Sequence, residues 1–190
     1  RSAAFGYFGH MWELYSFWAF LPLILATYMS LHPEAGISIS LWTFLIIGIG
    51  APACVMGGYL SRVLGEKRVA TASLVLSGLC CLFIPLAFSL SVPEYFLAFL
   101  LFWGMTVIAD SPLFSTLVAR NAPPDSKGTA LTIVTCIGFA ITIVSIEMMG
   151  LLGKLSGNPE DYLLLALGPI LGILALLGSF RSGKPTPQRL

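Results

Sequence analysis

Charge is the scarcest commodity in this sequence. Only 10% of its 190 residues are Asp, Glu, Lys or Arg, where a soluble domain carries about a quarter. Hydrophobic residues make up 57% and the mean hydropathy is +0.90. A large soluble core does not explain the deficit, because the apolar residues are gathered into long runs. The formal net charge is +1, and no basic patch lies outside the loops. General attraction to nucleic acid is thereby excluded. Cysteine and histidine are also sparse, at four and two residues. Cys54, Cys80, Cys81 and Cys136 all fall inside apolar runs and read as packed free thiols. Neighbouring Cys80 and Cys81 do not bridge on a helix, and no His stands at zinc-type spacing from any of them. Neither a metal nor another cofactor is expected. Ser-His and HExxH patterns are missing, as are the short alternating segments of a barrel. A cleavable secretory leader is not expected either, since the first apolar run is too long and only Arg1 precedes it. Because residue 1 is Arg rather than Met, the chain is expected to be part of a longer polypeptide.

What is present is a series of six apolar stretches, at about 3–29, 40–61, 69–91, 95–119, 128–152 and 161–180. Crossing the hydrocarbon core takes roughly 20 apolar residues as a helix. Backbone groups in lipid must be satisfied within each segment, so the spans are expected to be helices. Turn and polar residues collect between them, as in His32-Pro33-Glu34, Gly65-Glu66-Lys67-Arg68 and Asn121 through Gly128. Residues 1–180 thus form one six-helix transmembrane domain of the all-α integral membrane class, and 181–190 form a polar cytoplasmic tail.

Cytoplasmic loops collect Lys and Arg. With Arg1 placed inside, Arg62, Lys67, Arg68, Arg120, Lys127, Arg181, Lys184 and Arg189 are inside too, and of the ten basic residues only Lys154 is outside. Both termini are therefore expected in the cytoplasm, in the inner or plasma membrane of the cell.

Ionisable residues inside spans are costly and tend to mark polar pathways or proton relays. No Lys or Arg lies deep in any span, but Glu13, Asp110 and Glu147 do, with His10 near the first. At about 1.5 Å per residue, Glu13 and Asp110 are both about 14–15 Å from the cytoplasmic edge, near the midplane. His10 shares a helical face with Glu13, and Trp103, Thr106 and Asp110 share another. If the two helices adjoin, His10, Glu13 and Asp110 line one polar cavity. Desolvation disfavours the charged form of a carboxyl, which suits a group that loads and releases protons. The plainer alternative is that each acid is hydrogen-bonded structural glue. Beside Asp110, a kink at Ser111-Pro112 would free a carbonyl and widen the space. Glu147 either gates the outer opening or reaches the outer interface. Tyr15, too deep for an interfacial belt and carrying a hydroxyl that needs a partner, is ranked as pore-facing. Pro22, Pro52, Pro85, Pro112 and Pro169 fall inside spans. Gly168 and Gly172, and Gly50, Cys54 and Gly58, form small faces for close helix contact.

The chain resembles the C-terminal six-helix half of a major facilitator superfamily transporter. Topology carries part of the resemblance. The loop Gly58-Tyr-Leu60-Ser-Arg62-Val-Leu-Gly65-Glu66-Lys67-Arg68 is similar to the family signature Gly-x-Leu-x-Asp-Arg-x-Gly-Arg-Lys. Ala122-Pro-Pro-Asp-Ser-Lys-Gly128-Thr-Ala is similar to the loop before the eleventh helix. Arg62 stands where the signature has Asp, and Glu66 where it has a basic residue, which puts the helix-end latch attributed to that Asp in doubt. The resemblance implies two inverted three-helix repeats, with the first helix of each lining a central cavity and the third facing lipid. It implies secondary active transport of a small organic solute, as a symporter or antiporter, with proton coupling. The implied partners are lipid, a small-molecule substrate, and an N-terminal six-helix half or a second copy of the chain. An intramembrane enzyme built on paired carboxylates and a self-associating six-helix membrane protein are the competing readings.

Overall fold

In a computed structural model, residues 2–181 are described. Arg1 and the expected tail from residue 182 on, with Lys184 and Arg189, lie outside the described residues. Six helices are long and apolar enough to cross a membrane. The first span is α1 (Ser2–Leu31). The second is divided into α2 (Ile39–Gly48) and α3 (Gly50–Leu64), and the third is α4 (Glu66–Phe88). The fourth is divided into α5 (Pro93–Ala109) and α6 (Ser111–Arg120), the fifth is α7 (Lys127–Leu155), and the sixth opens as a 3-10 stretch, Pro159–Ala166, before α8 (Leu167–Arg181). The spans agree with the hydropathy reading to within a few residues. The kink expected at Ser111-Pro112 is present as a break at Asp110; the break in the second span and the 3-10 opening of the sixth were not marked by the apolar runs.

Each interruption has a proline behind it. Pro112 has no amide to offer Ile108 O, and the fourth span breaks at Asp110, which closes α5 and opens α6. The freed Ile108 carbonyl instead accepts from Cys54 Sγ of α3 at 3.5 Å. Pro52 follows the second break in the same way. The two broken spans cross here: a Cβ on Gly50 would meet Ile108, one on Gly57 would meet Ala109 O, and one on Gly104 would collide with Ile46 O. The small face is thus Gly50, Cys54 and Gly57. Gly58, expected to belong to it, faces open space.

Packing follows an exchange pattern. The first span lies mainly on the fifth and sixth, and the fourth mainly on the second and third. The third and sixth pack on each other, and the first meets the fourth. Exchanging first for fourth, second for fifth and third for sixth leaves this pattern unchanged, as two interlocked three-helix repeats require. Lipid is as apolar as leucine, so close packing and interhelical hydrogen bonds hold such bundles together. Gly9 and Gly168 pack backbone to backbone, leaving no room for a Cβ at either position, and Gly172 sits against Gly6. On the side towards α7, Ser145 Oγ donates to Trp12 O at 2.7 Å, Ser16 Oγ to Ser145 Oγ at 2.7 Å, and Thr142 Oγ1 to Met11 O at 3.0 Å. Of the four free thiols, Cys80 and Cys81 are buried and Cys54 half-buried as expected, but Cys136 is exposed on α7.

Candidate functional site

The first span has three working faces. Gly6 and Gly9 meet α8, Met11 and Ser16 meet α7, and His10 and Glu13 point towards α4, α5 and α6. His10 Nδ1 lies 2.9 Å from Asp110 Oδ1, so the two helices do adjoin and join residues a hundred positions apart. Asp110 reaches His10 because the break in the fourth span places it between two helical segments. Although 2.9 Å apart, His10 Nδ1 and Asp110 Oδ1 do not meet with hydrogen-bond geometry, and they, His10 Nε2 and Asp110 Oδ2 are all buried without a hydrogen bond among the described residues. Such buried, under-satisfied polar atoms are uncommon in native proteins, and a functional role is one physical reason for retaining them.

Glu13 lies within electrostatic reach of both members of the pair, but its hydrogen bonds go elsewhere. Oε1 accepts from Trp103 Nε1 at 2.7 Å and from Cys81 Sγ at 3.2 Å, and Oε2 accepts from Ser77 Oγ at 2.8 Å. Trp103 is in turn packed on Phe17, with ring centroids 4.3 Å apart. Thr106 lies one turn further along the same face, its hydroxyl donating back to Phe102 O and Trp103 O, both at 3.1 Å.

The expected open polar cavity is corrected by these contacts. His10, Glu13 and Asp110 are 1%, 0% and 0% exposed: within the six-helix unit they meet as a sealed cluster. The acids do not form a proton-sharing dyad, since Asp110 faces a histidine and Glu13 faces three donors. The carboxylate chemistry of the competing enzyme reading therefore has no geometric basis here.

Two of the singled-out residues stand apart. Tyr15 follows Glu13 by two positions, about 200° around a helix, so it cannot share that face. Its ring lies 5.5 Å from Trp18 and 5.5 Å from Phe139 of α7, and it is half-buried. Glu147 is exposed on α7, in a stripe with Cys136, Ala140 and Ile143. Ser77 and Cys81 were missed. The third span has no ionisable residue in its interior and is lipid-facing by resemblance, yet it supplies two of the three donors to Glu13. Ser73, Ser77 and Cys81, each four residues from the next, were the available signal.

The signature loop turns sharply between α3 and α4. Gly65 has φ 89° and ψ 140°, a conformation that strongly favours glycine. Arg62 takes the place of the signature's Asp and lies over the Tyr59 ring at 5.2 Å. Glu66 is 3.0 Å from Arg120 at the end of α6. An ion pair between helix ends is therefore present, made by different residues from those of the signature. Lys67 and Arg68 fall in the first turn of α4. The pair also places this loop and the end of the fourth span on the same side of the bundle, as the topology demands.

A search of curated proteins finds no match to the sequence. The sequence does match the Major Facilitator Superfamily over residues 3–190, and with six membrane-crossing helices the chain belongs to that family of multi-pass secondary transporters, which are not enzymes.

Proposed function

We propose that this chain is the C-terminal half of a twelve-helix, proton-coupled transporter of small neutral, cationic or apolar organic solutes. The observation that carries this reading is the sealed His10–Asp110 contact beside Glu13, placed where the fourth span breaks. Nδ1 and Oδ1 face each other at ion-pair distance. A proton delivered to Asp110 removes its attraction for the imidazole and frees α5 and α6 to shift against α1. The under-satisfied Oδ2 is the natural landing point for that proton. Glu13, fixed by Trp103, Ser77 and Cys81, keeps the surroundings polar and α1 in register while the pair opens.

Solute class follows from what borders the opposite side of α1. Phe8, Trp12, Tyr15 and Trp18 are all half-buried there, and no Lys or Arg lies deep in a span to hold an anion. Aromatic faces favour apolar and cationic ligands. The second and fifth spans are the least buried of the six, which suits a further six-helix unit packed against them. Glu147 stands on that exposed face of α7, at the outer opening between the units.

The complete polypeptide, reconstituted in proteoliposomes with an imposed proton gradient and ethidium as a probe cation, tests this reading. Asp110→Asn is expected to abolish gradient-driven ethidium movement while leaving gradient-free exchange of ethidium in place. Gradient-driven movement by Asp110→Asn at the rate of the unaltered protein overturns the reading.

A further inference from the structure

Between α3, α4 and α5 runs an apolar trough of about 620 Å³. It exists because Gly57 lets α3 touch Ala109 of α5 directly, so that the larger side chains on either side stand away and leave a hollow. Along α3 its lining extends from Ala53 to Val63, about 15 Å of helix at 1.5 Å per residue. That is about half the hydrocarbon thickness of a bilayer. The trough therefore covers one leaflet, from the level of the break in the second span to the loop after it.

Its two ends differ in chemistry. The deep part is apolar apart from the hydroxyls of Ser73 and Thr106. At the loop end the lining includes Tyr59 and Val69. The Arg62 guanidinium stacks on the Tyr59 ring, and Arg68, exposed, immediately precedes Val69. The acid of this loop, Glu66, is engaged by Arg120 at 3.0 Å, and among the described residues neither Arg62 nor Arg68 has a carboxylate partner. Apolar depth of one leaflet, with Arg62 on the Tyr59 ring at its loop end and Arg68 next in sequence to Val69 of its lining, is the complement of an anionic lipid.

We propose that this trough binds one anionic phospholipid, with an acyl chain lying along α3 between α4 and α5 and the phosphate held by Arg62 and Arg68. A bridging lipid would tie the second span to the third at the signature loop. Its chain would rest on Ser73 and Thr106, one turn from Ser77 and Trp103, which donate to Glu13.

Native mass spectrometry of the complete polypeptide in detergent, titrated with phosphatidylglycerol and separately with phosphatidylcholine, decides the matter. One phosphatidylglycerol is expected to bind saturably, on the order of ten-fold tighter than phosphatidylcholine, from the attraction of two surface arginines. The Arg62→Gln/Arg68→Gln variant is expected to bind both lipids equally with an unchanged thermal midpoint. Met56→Trp, which fills the trough wall, is expected to weaken both. Equal binding of the two lipids by the unaltered protein overturns the proposal. So does a preference that survives loss of both arginines, or phosphatidylglycerol binding that Met56→Trp leaves intact.

Discussion

Trp103 Nε1 donates to Glu13 Oε1 at 2.7 Å while its ring packs on Phe17. One side chain of the fourth span thus holds two residues of the first, four positions apart. Because indole can only donate, the carboxylate oxygen it faces must act as acceptor. Trp103→Phe keeps the ring contact and removes the donor, leaving Oε1 with only the weak Cys81 thiol. An under-satisfied buried polar group costs about 1–3 kcal/mol. The thermal midpoint of Trp103→Phe in detergent is expected to fall accordingly, and an unchanged midpoint would show that this hydrogen bond contributes nothing to the fold.

The His10–Asp110 contact makes a sharper prediction about coupling. Removing one member of a buried, paired charge costs about 3–5 kcal/mol, because its partner is left uncompensated, whereas replacing both with apolar groups is often close to neutral. His10→Leu and Asp110→Leu are each expected to be strongly destabilising, and the double variant to recover most of the loss. Strictly additive losses in denaturant unfolding of the four proteins would mean that the pair is not energetically linked.

Two glycines with the same propensity should respond in opposite ways. At Gly9 an added Cβ collides with the backbone of Gly168, so Gly9→Ala must push α1 and α8 apart. A loss of about 1–3 kcal/mol is expected, as for overpacking elsewhere. At Gly58 the same change meets open space, and the gain of helix propensity of about 0.5–1 kcal/mol is all that remains. If thermal midpoints move in the same direction for both variants, the close approach of α1 and α8 is not what fixes that interface.

The number, limits and helical nature of the spans were legible in the sequence because lipid imposes one requirement on every segment, a long apolar run with its backbone satisfied internally. The meeting of His10 with Asp110 was legible too, since matching depth on two helices leaves only their adjacency to be supplied. What could not be seen was the direction of the Glu13 carboxylate. Side-chain spacing places it on a face with His10, but only packing decides that the third span, with Ser77 and Cys81, covers that face. The sealing of the cluster has the same origin: the apolar runs carry no information about which spans are pressed together by Gly9, Gly57 and Gly104. In the loop, the departures from the family signature were visible, but the pairing of Glu66 with Arg120 depends on α6 ending beside α4.

The break in the fourth span can be examined by restoring what proline removes. In Pro112→Ala the new amide competes with Cys54 Sγ for Ile108 O, and α5 can run into α6 as one helix. A proline in a helix interior costs about 3 kcal/mol relative to alanine, although the native break already avoids part of that. The variant is therefore expected to gain thermal stability. The same change removes the turn that lets Asp110 reach His10 and pivot away, so gradient-driven ethidium movement is expected to fall several-fold. Greater stability with full transport would locate the pivot elsewhere, the remaining candidate being the break between Gly48 and Gly50, where α2 and α3 cross the fourth span.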